Sequence, residues 1–272
     1  MEEIKLISDI GKESTLQDKI DNSIALIKKA EKMALSYSGD GFHLSFSGGK
    51  DSQVIYELAK MAGVKFQAYF YKTSVDPKEL LSFIRENYPD VIWLKPKKTM
   101  FQLILIKKCL PTRISRWCCE YIKERNGLNR VTIIGIRKSE SVRRSKRKEF
   151  TTVCKAGCDK NLLSPILEWK DSDVWSFLAL RGIKACSLYQ VQTRIGCIGC
   201  PMSSHHREEL ERNPKFKKAY INTAQKVIDN YPESAFAKHF TSGEDAVNWW
   251  TSGIGINKYC AMRDLQGDLF NN

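Results

Sequence analysis

Four cysteines carry the first chemical signal. Cys197 and Cys200, in "GCIGCP", have the C-x-x-C spacing that lets two thiolates grip one metal centre from a tight turn. Cys118 and Cys119 stand side by side in "RWCCEYIK", where neighbouring side chains diverge and cannot readily bond to each other. Together the two pairs supply four ligands, enough for zinc or an iron–sulfur cluster. Diverging neighbours fit poorly around one tetrahedral ion, whereas a 4Fe-4S cube offers a separate iron to each thiolate. The pattern therefore favours the cluster, with zinc as the alternative. Cys154 and Cys158, in "CKAGC", form a second close pair that reads as a zinc site, a sulfur relay or a plain loop. Further ligands for it are not evident beyond the unsupported His205 and His206. Cys109 and Cys186 read as small buried apolar residues, and Cys260 stands alone near the end of the chain.

A glycine-rich stretch is the second signal. "SFSGGKDS" (45–52) closes a strand-like run and opens a helix-like one, the context that makes such a motif meaningful. Gly48 and Gly49 allow a tight turn and bring amide N–H groups close to an anion. The helix N-terminus, Lys50 and the hydroxyls of Ser47 and Ser52 add charge and donors at the same point. The spacing is not G-x-x-x-x-G-K-[ST], so a P-loop of the Walker type is excluded.

These residues need elements to position them. Leu16, Ile20, Ile24, Ile27, Ala30 and Ala34 recur at helical spacing and predict an N-terminal amphipathic helix. "FHLSFS" (42–47), "KFQAYFYK" (65–72), "VIWLKP" (91–96) and "VTIIGIR" (131–137) read as strands. Between the first three lie "DSQVIYELAKMAG", stopped by Gly63, and "DPKELLSFIRENY", opened by Pro77. Alternation of this length predicts an α/β fold, a parallel twisted sheet with flanking helices, whose ligands bind at the carboxyl ends of the strands. Beyond about residue 160 the pattern turns helical, giving a helical C-terminal extension. The expected division is an N-terminal helical segment over 1–40, a nucleotide-binding domain over 41–204 and the extension over 205–272. Trp117, Trp169, Trp175, Trp249 and Trp250 read as core or interface anchors.

Charge adds a partner class. Between Lys95 and Phe150, 17 Lys and Arg face four Glu, which accounts for the whole formal net charge of +13. One segment carrying the full excess should face phosphates, a cofactor or nucleic acid. The start, "MEEIKLISDIGKES", lacks a basic n-region and an apolar core, and no run of 18 apolar residues occurs. The expectation is a cytoplasmic chain with reduced cysteines and no membrane partner.

The glycine motif resembles the PP-loop of the adenine nucleotide alpha-hydrolase superfamily, whose Rossmann-like members act at the α-phosphate of ATP or a derived nucleotide. Further segments narrow the resemblance. "TSVDPKELLSFI" (73–84), with Ser74 in place of a glycine, and "LPTRISRWCCEYIK" are similar to elements of the phosphoadenylyl sulfate (PAPS) reductase family. So are "GIRKSESVRRSKR" (135–147), "SPILEWKDSDVWSFL" and "LYQVQTRIGCIGCPM". The resemblance covers about 42–202 in the family's order.

That resemblance implies a nucleotide site at Ser47, Gly48, Gly49, Lys50, Asp51, Ser52, Thr73 and Arg137, with Arg143, Arg144 and Arg147 facing phosphate or sulfate groups. It also implies a 4Fe-4S cluster on Cys118, Cys119, Cys197 and Cys200, with Lys123 linking the cluster to the bound phosphates. Lys50 and Lys123 become candidate catalytic residues. The family's reductases carry their nucleophilic cysteine in a C-terminal E-C-G-x-x-H element. Here "NKYCAMRDLQGDLFNN" puts Cys260 at a similar distance from the end without the Glu, the Gly or the His. The readings carried forward are three. One is reduction of adenylyl sulfate or PAPS, with a thioredoxin-like reductant. Another is ATP-dependent thiolation of nucleic acid, of the DNA phosphorothioation or tRNA thiolation type. The last is a non-catalytic nucleotide-binding subunit. Homo-oligomerisation is compatible with all three.

Overall fold

The computed structural model describes residues 14–155 and 158–270. Its elements run α1 (Leu16–Tyr37), β1 (Phe42–Phe46), α2 (Lys50–Ala62), β2 (Phe66–Tyr71), α3 (Lys78–Asn87), β3 (Ile92–Leu94) and α4 (Met100–Lys107). There follow α5 (Trp117–Cys119), β4 (Val131–Ile133), α6 (Val142–Ser145), β5 (Phe150–Lys155), β6 (Cys158–Leu163) and α7 (Asp171–Leu180). Four helices close the chain: α8 (His206–Arg212), α9 (Pro214–Asn230), α10 (Gly243–Ser252) and α11 (Ile256–Phe270). Described residues up to Phe70, 86–92 and 127–187 form one compact unit, and 71–85, 93–126 and those from Leu188 onward form a second.

In the first unit, α1 opens on a capping box. The Thr15 hydroxyl accepts from the Asp18 amide at 3.1 Å, and the Asp18 carboxylate accepts from the Thr15 amide at 2.8 Å. Ile20, Ile27 and Ala34 face inward as their helical spacing requires. The sheet has six strands in the order β3-β2-β1-β4-β6-β5. β1 pairs in parallel with β2 and β4, and β4 in parallel with β6. β1, β2 and β4 are largely apolar runs, and Phe42, Leu44, Phe46, Val131, Ile133 and, from β6, Leu163 are buried. Gly63 ends α2 at φ 67°, with its amide on the Lys60 carbonyl at 3.0 Å, so the expected stop is the observed one.

Two expectations needed correction here. The fourth strand ends at Ile133, and the chain leaves the sheet before Gly135. The segment around residue 160 is also not the start of a helical region. β5 and β6 form an antiparallel hairpin, from Phe150 opposite Leu163 to Lys155 opposite Cys158, which gives the otherwise parallel sheet an antiparallel edge. Helices do resume at Asp171.

The second unit is built on helices around Ile104, Trp117, Leu210, Tyr220, Ala224, Val227 and Trp250, all buried. The Trp250 indole donates to the Pro111 carbonyl at 2.5 Å, and the Tyr220 hydroxyl to the Ile198 carbonyl at 3.1 Å. Trp117, Trp169 and Trp250 are thus core anchors, while Trp175 is exposed. No helix among the described residues is long and apolar enough to cross a membrane.

Candidate functional site

The glycine loop sits where β1 delivers it to the first turn of α2. Gly48 takes φ 73°, a left-handed conformation that an L side chain rarely adopts, and Gly49 is the N-cap of α2. No side chain caps α2 there, so its positive end and first amides face the loop. The Ser47 and Ser52 hydroxyls stand 3.2 Å apart, with Ser52 also donating to the Gly49 carbonyl at 2.7 Å.

Behind the loop lies a charged cage. Lys50 and Arg137 are 7% and 4% exposed, extreme values for cations. Arg137 donates through Nε to Asp51 at 2.6 Å, through Nη2 to Asp171 at 2.8 Å and through Nη1 to the Ser139 hydroxyl at 3.3 Å. Lys50 Nζ reaches the same Asp171 oxygen at 3.2 Å. Burial works against the Arg137 charge, but the Asp51 and Asp171 carboxylates outweigh it and raise its pKa. Burial likewise opposes ionisation of Asp171, yet Lys50 and Arg137 hold its carboxyl below the ordinary carboxylate range. Asp51 goes the other way: burial pushes it up more than the two cations pull it down. Gly135 permits the assembly, because a Cβ there would lie 2.8 Å from the Asp51 carbonyl oxygen. Amides, hydroxyls and two buried cations gathered at one helix start are suited to an anion such as phosphate.

The remaining arginines of the basic stretch are arranged differently. Arg144 pairs with Glu140, whereas Arg143 and Arg147 are exposed on and just beyond α6. Lys138 pairs with Glu168.

The second unit brings the four cysteines together. Cys118 is buried in the helical core, and Cys119, Cys197 and Cys200 are half-buried. The turn of 197–200 is held by the Cys200 amide on the Cys197 carbonyl at 3.1 Å and the Ile198 amide on the Val75 carbonyl at 2.8 Å. Lys123 Nζ lies 3.8 Å from Cys197 Sγ, and Arg116 Nη2 lies 3.6 Å from Cys119 Sγ. The adjacent thiols, expected to diverge, lie close enough to interact, which pushes Cys118 up and pulls Cys119 down, with Lys123 and Arg116 also favouring the Cys119 thiolate. Neighbouring Cys197, with Cys119 and Asp76, in turn raises the pKa of Lys123 against the effect of burial. Among the described residues, no three His, Cys, Asp or Glu side chains gather as a metal-ion site. The donor chemistry, four thiols with two attendant cations, still fits a thiolate-ligated group.

Thr73, expected at the nucleotide, belongs to this second unit. Its amide and hydroxyl both donate to Asp76, each at 2.7 Å. Cys260 lies within α11, its thiol 3.4 Å from the His239 carbonyl oxygen, which also accepts from Arg263 at 2.9 Å. The side chains of Cys154 and Cys158 lie outside the described residues. His206 is a buried side chain set edge-on against Trp250, with ring centroids 4.3 Å apart. Sequence reasoning missed Asp171 and Asp76, whose partners at the site emerge only from the folded geometry.

The model of the phosphoadenosine phosphosulfate reductase domain matches residues 41–204. An uncharacterised protein of Methanocaldococcus jannaschii is 33% identical over 195 residues, 66% of this chain and 46% of its own length. The probable FAD synthase of Schizosaccharomyces pombe is 26% identical over 180 residues, 64% of each chain. The chain thus spans less than two thirds of either relative. FMN adenylyltransferase of Candida glabrata, solved with FAD and inorganic pyrophosphate, has the same fold. It gives a TM-score of 0.50 at 19% identity over 75% of this chain and 77% of that one. With its glycine loop, six-stranded sheet and matched domain, the chain belongs to the phosphoadenosine phosphosulfate reductase domain family of PP-loop, adenine-nucleotide-binding proteins.

Proposed function

We propose that the chain binds ATP at the Ser47–Ser52 loop and transfers its adenylyl group to an acceptor. The observation that carries this reading is the pair of buried cations, Lys50 and Arg137, set behind Gly48, Gly49 and the first turn of α2. In the reaction an acceptor oxygen or sulfur attacks the α-phosphorus, the bond to the bridging oxygen breaks, and pyrophosphate leaves with that electron pair. Lys50 and Arg137 neutralise the charge that develops on the phosphates. The names of two similar proteins, a FAD synthase and an FMN adenylyltransferase, describe chemistry of this class. The exposed Arg143 and Arg147 favour an anionic acceptor, nucleic acid among them.

The family match supports a second reading, reduction of adenylyl sulfate or PAPS. It requires a cysteine nucleophile and a thioredoxin-like reductant. The candidate Cys260 is held within a helix against a main-chain carbonyl, which favours the first reading. Under either, Cys118, Cys119, Cys197 and Cys200 would hold a 4Fe-4S cluster, with zinc as the alternative, and Lys123 and Arg116 would balance its thiolates. When bound, the cluster supplies electron-transfer capacity.

Release of pyrophosphate from ATP, measured with flavin mononucleotide, single-stranded DNA and tRNA as acceptors, tests the first reading. Release of sulfite from PAPS with reduced thioredoxin tests the second. Sulfite without pyrophosphate would reverse the order of the two. Nucleotide binding with neither product would leave a non-catalytic binding subunit.

A further inference from the structure

Asp171 is the first residue of α7, and its side chain is 57% exposed. Yet its Oδ1 accepts from two of the most buried cations of the unit, Lys50 at 3.2 Å and Arg137 at 2.8 Å. Its Oδ2 accepts from the Trp175 indole at 3.1 Å, and the same indole ring lies 5.6 Å from Lys50 Nζ. A solvated carboxylate has thus been drawn onto the two charges that stand behind the glycine loop. Buried cations need a counter-anion, since an uncompensated charge in a protein interior is strongly destabilising. Arg137 has Asp51 on its other edge at 2.6 Å. The Asp171 Oδ1 is the one oxygen shared by both cations.

We propose that Asp171 is an internal counter-anion that fills the phosphate position on Lys50 and Arg137, and that nucleotide phosphates displace it. The inference rests on the reading of the glycine loop as a nucleotide site. Two features make the exchange easy. The carboxylate is already exposed, so rotation of its side chain releases it to water. The start of α7 and the Trp175 indole still stabilise its charge once the cations are taken. The anchor of Arg137 also survives the exchange, through Asp51 and through the Arg137 amide on Glu140 at 2.9 Å. The carboxylate therefore competes with the ligand while keeping the cations in place between turnovers, and it favours release of pyrophosphate.

The test is calorimetric titration of wild type, Asp171→Asn and Asp171→Ala with ATP, inorganic pyrophosphate and adenosine. Asn keeps the shape and the acceptor for Trp175 and removes the competing charge. Asp171→Asn should bind ATP and pyrophosphate roughly tenfold more tightly and adenosine unchanged, with Asp171→Ala moving the same way. A purely structural role would weaken all three ligands together. If wild type binds ATP and both variants bind the two anions equally or more weakly, the inference is overturned. If none of the three proteins binds either anion, the nucleotide reading of the loop falls, and the inference with it.

Discussion

Arg137 and Asp51 form a 2.6 Å ion pair that ties the chain beyond β4 to the first turn of α2, with the guanidinium 5% and the carboxylate 21% exposed. Removing the cation would leave Asp51 with little water to solvate it, although its raised pKa lets it take up a proton and soften the loss. Arg137→Ala should therefore cost about 3 kcal/mol in urea unfolding. Arg137→Lys, which keeps the charge and loses the fork that spans two carboxylates, should retain most of the stability yet lose ATP affinity at least about tenfold. Equal ATP affinity in Arg137→Lys and wild type would remove Arg137 from the site.

Gly135 makes the second test of the same assembly. A Cβ at this position meets the Asp51 carbonyl oxygen at 2.8 Å and its carbon at 3.0 Å, both backbone atoms that cannot rotate away. Gly135→Ala should destabilise by about 1–3 kcal/mol and weaken ATP binding by displacing the first turn of α2. An unaltered melting temperature and affinity would show that β4 and α2 can part without consequence.

How much of this was legible beforehand follows from the range of each signal. The glycine loop, α1 and the Gly63 stop depend on residues a few positions apart, and spacing alone placed them. The β5–β6 hairpin was missed because "FTTVCK" and "CDKNLL" alternate weakly and carry charge, so neither resembles the apolar runs of β1, β2 and β4. Asp171 was missed for a different reason. Its partners Lys50 and Arg137 lie 121 and 34 residues away in the chain, and no local pattern announces an ion pair of that reach. Tandem and C-x-x-C spacings made the four cysteines stand out in the sequence, whereas Arg116 beside Cys119 emerges from the geometry.

Ser74 occupies a position where the family pattern has glycine, and it pays for that with φ 69°. Its hydroxyl offsets the strain by accepting from the Met100 amide at 3.0 Å, an amide in the first turn of α4. Ser74→Ala keeps the strain and loses the bond, and should cost about 1 kcal/mol. Ser74→Gly loses both together and should be near neutral. Chemical denaturation of the two variants separates these effects, and a Gly variant as damaged as the Ala variant would mean that the backbone strain is negligible.

His43 sets a pH limit on stability. Burial, with Lys160 and Arg130 nearby, lowers its pKa from 6.5 to about 3, and the ring stacks on Tyr69 at a centroid distance of 4.2 Å. Because the folded pKa is the lower one, the unfolded chain binds the extra proton, and stability falls as pH drops below about 6.5. Between pH 7.5 and 5 this histidine alone should cost about 2 kcal/mol. His43→Gln should flatten that part of the profile, and an equally steep profile in the variant would assign the loss to other groups.

The cysteine set yields the last prediction. If Cys118 and Cys119 each take a separate iron, losing either leaves three thiols for a cluster built on four. Cys118→Ser and Cys119→Ser should each abolish stable iron and the visible absorption of anaerobically reconstituted protein. Cys109→Ser should leave both intact, since Cys109 stands apart from the pair sequence and its thiol is pushed up by burial. The alternative metal makes a different forecast. A single zinc ion would be retained at one equivalent by the wild type after aerobic purification, with no colour, and elemental analysis of the same samples reads both outcomes. Fold damage is distinguishable from ligand loss through the first unit, where ATP binding at the Ser47–Ser52 loop should persist in the serine variants. Colourless wild-type protein with stoichiometric zinc would sink the cluster, and metal-free wild-type protein would return the four thiols to a structural role.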